Sequence, residues 1–117
     1  MSAELPVIAD CYTLTLDLTR RVEKFPRHHR ATLGAELTDR CRAILAGLIR
    51  ARYATPAERP PILAAANVEL ELLRFGLRLA VDLRALPLPG HGHLIRLAER
   101  VGVQVGGWLR ATRSGAK

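Results

Sequence analysis

Apolar residues return every three or four positions along this chain, in four segments set apart by prolines. At 100° per residue, the segment at about 5–25 gathers Leu5, Ile8, Cys11, Tyr12, Leu14, Leu16, Leu18 and Val22 on one side. Asp10, Thr13, Asp17, Arg20, Arg21 and Lys24 take the other side. The segment at about 27–53 aligns Leu33, Leu37, Cys41, Ile44, Leu45, Leu48 and Ile49. The last, at about 93–112, aligns Leu94, Leu97, Ala98, Val101, Val105, Trp108 and Leu109. No stretch alternates with period two over a useful length, so strands are not expected. The pattern predicts an all-α fold in a single domain over residues 1–117, with helices at about 5–25, 27–53, 61–86 and 93–112 and a basic tail at 113–117. Short connections between long helices favour antiparallel neighbours, and hence an up-down-up-down four-helix bundle.

The breaks between segments have mechanisms. Pro26 suits a first helical position, where its missing N–H has no acceptor to lose. Thr55-Pro56-Ala57-Glu58 has the spacing of a capping box. Pro60 and Pro61 each delete a hydrogen bond one turn later, so a short turn at 55–59 is expected, with the third helix starting near Pro61. Pro87-Leu88-Pro89-Gly90-His91-Gly92-His93 reads as the third loop.

The third segment is the most informative. Leu70, Leu73, Leu77, Ala80 and Val81 cover one sector of its wheel, and Leu72, Phe75, Leu79, Leu83 and Leu86 another. Together they span roughly 240°, whereas a helix packed on one core needs little more than about 100°. Each helix of a four-helix monomer has an outer face, so the surplus sector, with Leu72, Phe75, Leu79 and Leu83, predicts burial against another copy of the chain. The competing reading is a loop packed over that sector. Glu69 lies inside the apolar arc and needs a basic partner, at an interface edge or within the bundle. The remaining polar stripe is Asn67, Glu71, Arg74, Arg78 and Asp82. Arg74 and Arg78 project side by side and suit phosphates or an acidic surface. Equally, Glu71 and Asp82 stand at spacings that neutralise them as ordinary helix-face pairs.

Length and composition agree with a folded protein. The 117 residues are 49% hydrophobic and 25% charged, and only 4% are aromatic. The longest charge-free stretch is well short of the roughly 18 residues of a membrane span, so no membrane partner is expected. The start has neither a basic region nor an apolar run, and no secretory signal is read there. Cys11 and Cys41 both lie on apolar faces outside any CxxC pair, which favours buried, reduced thiols and a cytoplasmic setting. Charge changes the picture more: 18 basic against 11 acidic residues give +7, and sixteen of the basic residues are arginine. Such an excess predicts attraction to polyanions. Base-specific readout is expected to be weak, because no helix carries a run of Asn, Gln and Arg suited to base edges. Trp108 and Phe75 lie on apolar faces, which points to burial and away from base stacking.

Catalytic chemistry finds little support. His91 and His93, and the adjacent His28 and His29, are the only clustered imidazoles. No Cys or carboxylate completes a ligand set with the first pair, and no metal or cofactor is expected. His28 and His29, flanked by Arg27 and Arg30, suit an anion better than a cation. Ser2 and Ser114 are the only serines, and no P-loop, nucleophile elbow or metalloprotease motif is present. The chain reads as a non-enzyme.

Several runs resemble a known family. Leu73-Arg74-Phe75-Gly76-Leu77-Arg78-Leu79 is similar to the core signature of the accessory variability determinant proteins of diversity-generating retroelements. So is Val101-Gly102-Val103-Gln104-Val105-Gly106-Gly107-Trp108-Leu109, together with the Phe25-Pro26-Arg27-His28 junction and the basic stretch after Trp108 that carries Arg110 and Arg113. The resemblance runs from about residue 8 to the end. The four-helix-bundle proteins encoded in ribosomal RNA intervening sequences have much the same pattern. Membership implies an antiparallel four-helix bundle assembled into a barrel-like pentamer, binding the element's reverse transcriptase and RNA or DNA during mutagenic copying. It implies functional roles for Arg74 and Arg78 and for Arg27 and His28; Arg30, beside the histidines, and Arg110 and Arg113, in the basic stretch, are further candidates for contact with nucleic acid or the reverse transcriptase. Gly76 stands where the signature often has a bulky aromatic, so packing at that turn is expected to differ. Apart from the accessory-subunit reading, an intervening-sequence-type bundle and a protein-binding scaffold whose charge serves solubility remain open.

Overall fold

In the computed structural model, which describes residues 5–115, the chain is all-helical, with four long helices and no strand among those residues. The first, α1 (Pro6–Val22), starts on a proline whose missing N–H has no intrahelical acceptor. It stops at Val22 instead of about residue 25, because Pro26 forces the chain before it out of the helical region and Phe25 turns into the core. A single turn, α2 (Arg27–His29), follows, then a π-helical turn at Arg30–Gly34, then α3 (Ala35–Tyr53). The expected helical run over 27–53 is therefore continuous, with a π turn inserted near its start. Gly34 closes the π turn tightly against α1: a Cβ there would lie 2.6 Å from Val22 Cγ1.

The connection to α4 (Arg59–Asp82) contains the capping box in full. The Thr55 N–H donates to Glu58 Oε1 at 3.2 Å and the Glu58 N–H to Thr55 Oγ1 at 3.3 Å. Arg59 then reaches back, donating from Nε to the Ala51 carbonyl at 2.8 Å and from Nη2 to the Ala54 carbonyl at 2.9 Å. A cation thus satisfies carbonyls at the C-terminus of α3, where the helix dipole favours it. The helix begins two residues earlier than expected, with Pro60 and Pro61 in its first turn, where N–H groups have no internal partner.

Two further boundaries differ from the sequence reading. Helix α4 ends at Asp82, four residues before Leu86, in a Schellman turn. Ala85 N–H donates to the Ala80 carbonyl at 2.8 Å and Arg84 N–H to that of Val81 at 2.9 Å. Arg84 takes φ 62°, a conformation glycine usually supplies. Leu86, expected in the surplus sector of the helix, instead folds over its end and is buried. The supposed loop at 87–93 is mostly helix: α5 (Leu88–Arg113) starts with Pro87 as its extended N-cap and Pro89 in its first turn. Proline there breaks no intrahelical hydrogen bond.

The core runs down the middle, with Leu14, Leu18, Leu37, Ile44, Leu48, Leu70, Leu73, Leu94 and Val101 fully enclosed. Each such side chain contributes roughly 1.5–3 kcal/mol relative to exposure. Helix α1 packs on α3 and α5, and α4 packs on the same two helices. Gly76 lets α3 and α4 approach closely, since a Cβ there would lie 2.5 Å from Leu37 Cδ2.

Candidate functional site

The outward face of α4 is where chemistry and surface meet. Its inward residues Leu63, Leu70, Leu73 and Leu77 are wholly buried. Its outward residues Leu72, Phe75, Leu79 and Leu83 are 44–59% exposed. Val68 joins them at 59%, which extends the stripe by a turn. The spacing 68, 72, 75, 79 is the four-three alternation of a helix-packing seam, a signal present in the sequence that the wheel of larger side chains passed over. Among the described residues nothing covers this stripe, so the loop-covered reading does not hold. Phe75 is not a core residue: its ring is more than half exposed, on the rim of a groove between α4 and α5. Trp108 is half-buried, with the Arg59 guanidinium 5.7 Å from its ring.

Beside the stripe, Arg74 and Arg78 border a shallow groove of about 330 Å³, with Phe75, His91 and Ile95 in its walls. Arg74 is held: Nη1 donates to Glu71 Oε1 at 3.1 Å, and its guanidinium lies over Gly102 of α5, where a Cβ would stand 2.8 Å from Nη2. Arg78 is exposed, and among the described residues it has no ion-pair partner, Asp82 included. The two arginines are thus unequal, one braced against its own protomer and one available. Glu69 is paired, at 2.8 Å, with Arg40 of α3.

The other sequence candidates fall in two places. Arg27 and His28 sit in α2 and Arg30 opens the π turn; the rings of His28 and His29 lie 4.1 Å apart, and Arg30 Nη2 donates to the Phe25 carbonyl at 3.3 Å. Arg110 and Arg113 are exposed in the last turns of α5. At 1.5 Å per residue, Arg110 stands roughly 30 Å along α5 from the turn that carries His91. The candidates therefore do not form one cluster.

Cys11 and Cys41 are free and buried. Burial pushes the Cys11 thiol up to about 11, against the pull of a hydrogen bond with Thr15. It pushes Cys41 up to about 12, with the Cys11 charge adding to the effect and Thr15 again opposing it. Neither thiol offers a thiolate at neutral pH. Among the described residues no three His, Cys, Asp or Glu side chains are grouped to hold a metal ion. His93, expected in a loop, lies in α5 with Nε2 3.7 Å from Asp17. No helix among those residues is long and apolar enough to cross a membrane.

A helical bundle with an uncovered apolar seam, edged by an L-R-F-x-L-R run, defines the kind of protein at hand. A family model described as bAvd-like matches residues 12–112, and the chain belongs to that family. No curated protein matches it.

Proposed function

We propose that this chain is a non-catalytic accessory subunit of a diversity-generating retroelement. In this reading it is an antiparallel up-down-up-down four-helix bundle, one domain per chain, acting in the cytoplasm. Copies gather into a ring, a pentamer as in the family, and present pooled arginines to the reverse transcriptase and to RNA or DNA. The observation that carries the proposal is the exposed seam of α4 lying against Arg74 and Arg78.

The antiparallel course is supported by the order of cross-helix contacts. Asp10 meets Gln104 while Asp17 meets His93, and Leu37 meets Gly76 while Arg40 meets Glu69. Arg59 meets Trp108 while Arg74 meets Gly102. In each case one number rises as the other falls. A ring also needs a heterologous contact, in which two different patches meet. Helix α1, which shares neighbours α3 and α5 with α4, exposes Tyr12 and Leu16 one turn apart, an apolar counterpart for the seam.

Nucleic-acid binding by such a ring rests on phosphate contacts and counterion release. With one or two phosphates neutralised per protomer, a pentamer gives a log–log salt slope on the order of −4 to −9. Replacing both arginines, Arg74→Ala with Arg78→Ala, is expected to abolish co-purification with the reverse transcriptase while the helical circular-dichroism signal stays unchanged. Undiminished association of a well-folded double variant would remove these arginines from the mechanism.

A further inference from the structure

A cleft of about 620 Å³ opens between the last turns of α1 and the connection at 84–87. Arg20, Arg21, Lys24 and Arg84 line it, against the single carboxylate of Asp17. Pro26, Leu86 and Pro87 supply apolar wall. Four cations and one anion leave a surplus of three positive charges in one concavity, where the low-dielectric walls focus the field.

Two of the four cations are placed by their surroundings, Arg21 by a carboxylate and Arg84 by the backbone. Arg21 donates from Nε to Asp17 Oδ2 at 2.8 Å, which fixes its guanidinium. Its Nη1 occupies space that a side chain on α5 would take: a Cβ at Gly90 would lie 2.6 Å away. Arg84 sits at the left-handed position of the Schellman turn, with φ 62°. Glycine fills such a position without strain, so the turn itself gives no reason for a long cation there. The side chain lines the cleft.

We propose that this cleft binds a phosphate group carrying two or more negative charges, a terminal phosphate monoester or an oligophosphate. A terminal phosphate carries about −1.5 to −2 at neutral pH, and an oligophosphate carries more, which suits the surplus far better than the single charge of a mid-strand phosphodiester. Guanidinium forks match phosphate oxygens in pairs. The cleft shares no residue with the groove at Arg74 and Arg78, and the inference stands without the accessory-subunit reading.

Calorimetric titration of the full chain with inorganic tripolyphosphate tests it. One tripolyphosphate is expected to bind per chain. Arg84→Gly removes a cation and relaxes the turn, so the variant folds, and it is expected to bind about tenfold more weakly or worse. Lys24→Ala, at an exposed site, is expected to weaken binding in the same direction. Arg42→Ala, on the exposed surface of α3 and outside the cleft, also removes one cation and is expected to leave binding unchanged. Two further arms separate the sources of the group. A short oligonucleotide that binds tighter with a 5′-phosphate than with a 5′-hydroxyl supports a strand end. Binding of free ATP without that advantage supports a nucleotide. The proposal is overturned if the wild-type chain takes up no tripolyphosphate, if both cleft variants bind as the wild type does, or if Arg42→Ala loses as much as Arg84→Gly.

Discussion

The two faces of α4 are built from the same residue types and meet opposite fates. Leu70, Leu73 and Leu77 are sealed between α3 and α5, while Leu72, Phe75 and Leu79 stand in solvent on the other side of the same helix. Local propensity does not separate them, since leucine favours the helix equally on either face. What separates them is the supply of neighbours. A single chain brings two packing partners to α4, and these use up one sector of its surface. The inner face therefore stabilises the fold, and the outer face is free to specify association. Their energetics should divide in the same way.

That division can be broken by substitution. The largest effect is expected from Leu73→Ala, which opens a cavity among fully buried side chains and costs about 3 kcal/mol in denaturant unfolding. Phe75→Ala deletes a larger side chain from the same helix, yet on the isolated protomer it should cost less than about 0.5 kcal/mol. Equal losses would mean that the outer face is packed within the protomer. An intermediate effect is expected from Gly76→Leu. The new side chain meets Leu37 Cδ2, and overpacking at the α3–α4 contact costs about 1–3 kcal/mol, read as a lower Tm. A fully stable variant would show that the two helices separate freely at that turn.

Much of the architecture was legible because it depends on short-range rules. The four helical segments follow from periodicity, and the Thr55–Glu58 capping box from a spacing of three. The two sectors of α4 were legible as well, apart from Leu86, which lies beyond the end of the helix and is buried. The misses fall where one residue type has two legal uses. Proline at 89 reads as a loop former, yet within the first turn of α5 it costs nothing. The end of α4 was invisible because an arginine occupies the left-handed position where glycine would have announced it. The π turn after α2 follows from the tight seat of Gly34 on Val22, a contact between residues of different helices. The same holds for the candidate sites. Arg74 and Arg78 stand out in one segment, whereas Arg84 joins Arg20, Arg21 and Lys24 only once the connection at 84–87 has come up against the last turns of α1.

The central claim is that the outer face of α4 exists to meet another copy of the chain. Light scattering on the purified protein, alongside Leu79→Glu, tests it most directly. The account predicts a wild-type mass several times that of one 12.9 kDa chain, collapsing to a single helical chain in the variant. A wild-type protein that runs as one chain at micromolar concentration, or a Leu79→Glu variant that keeps the full assembly, contradicts it.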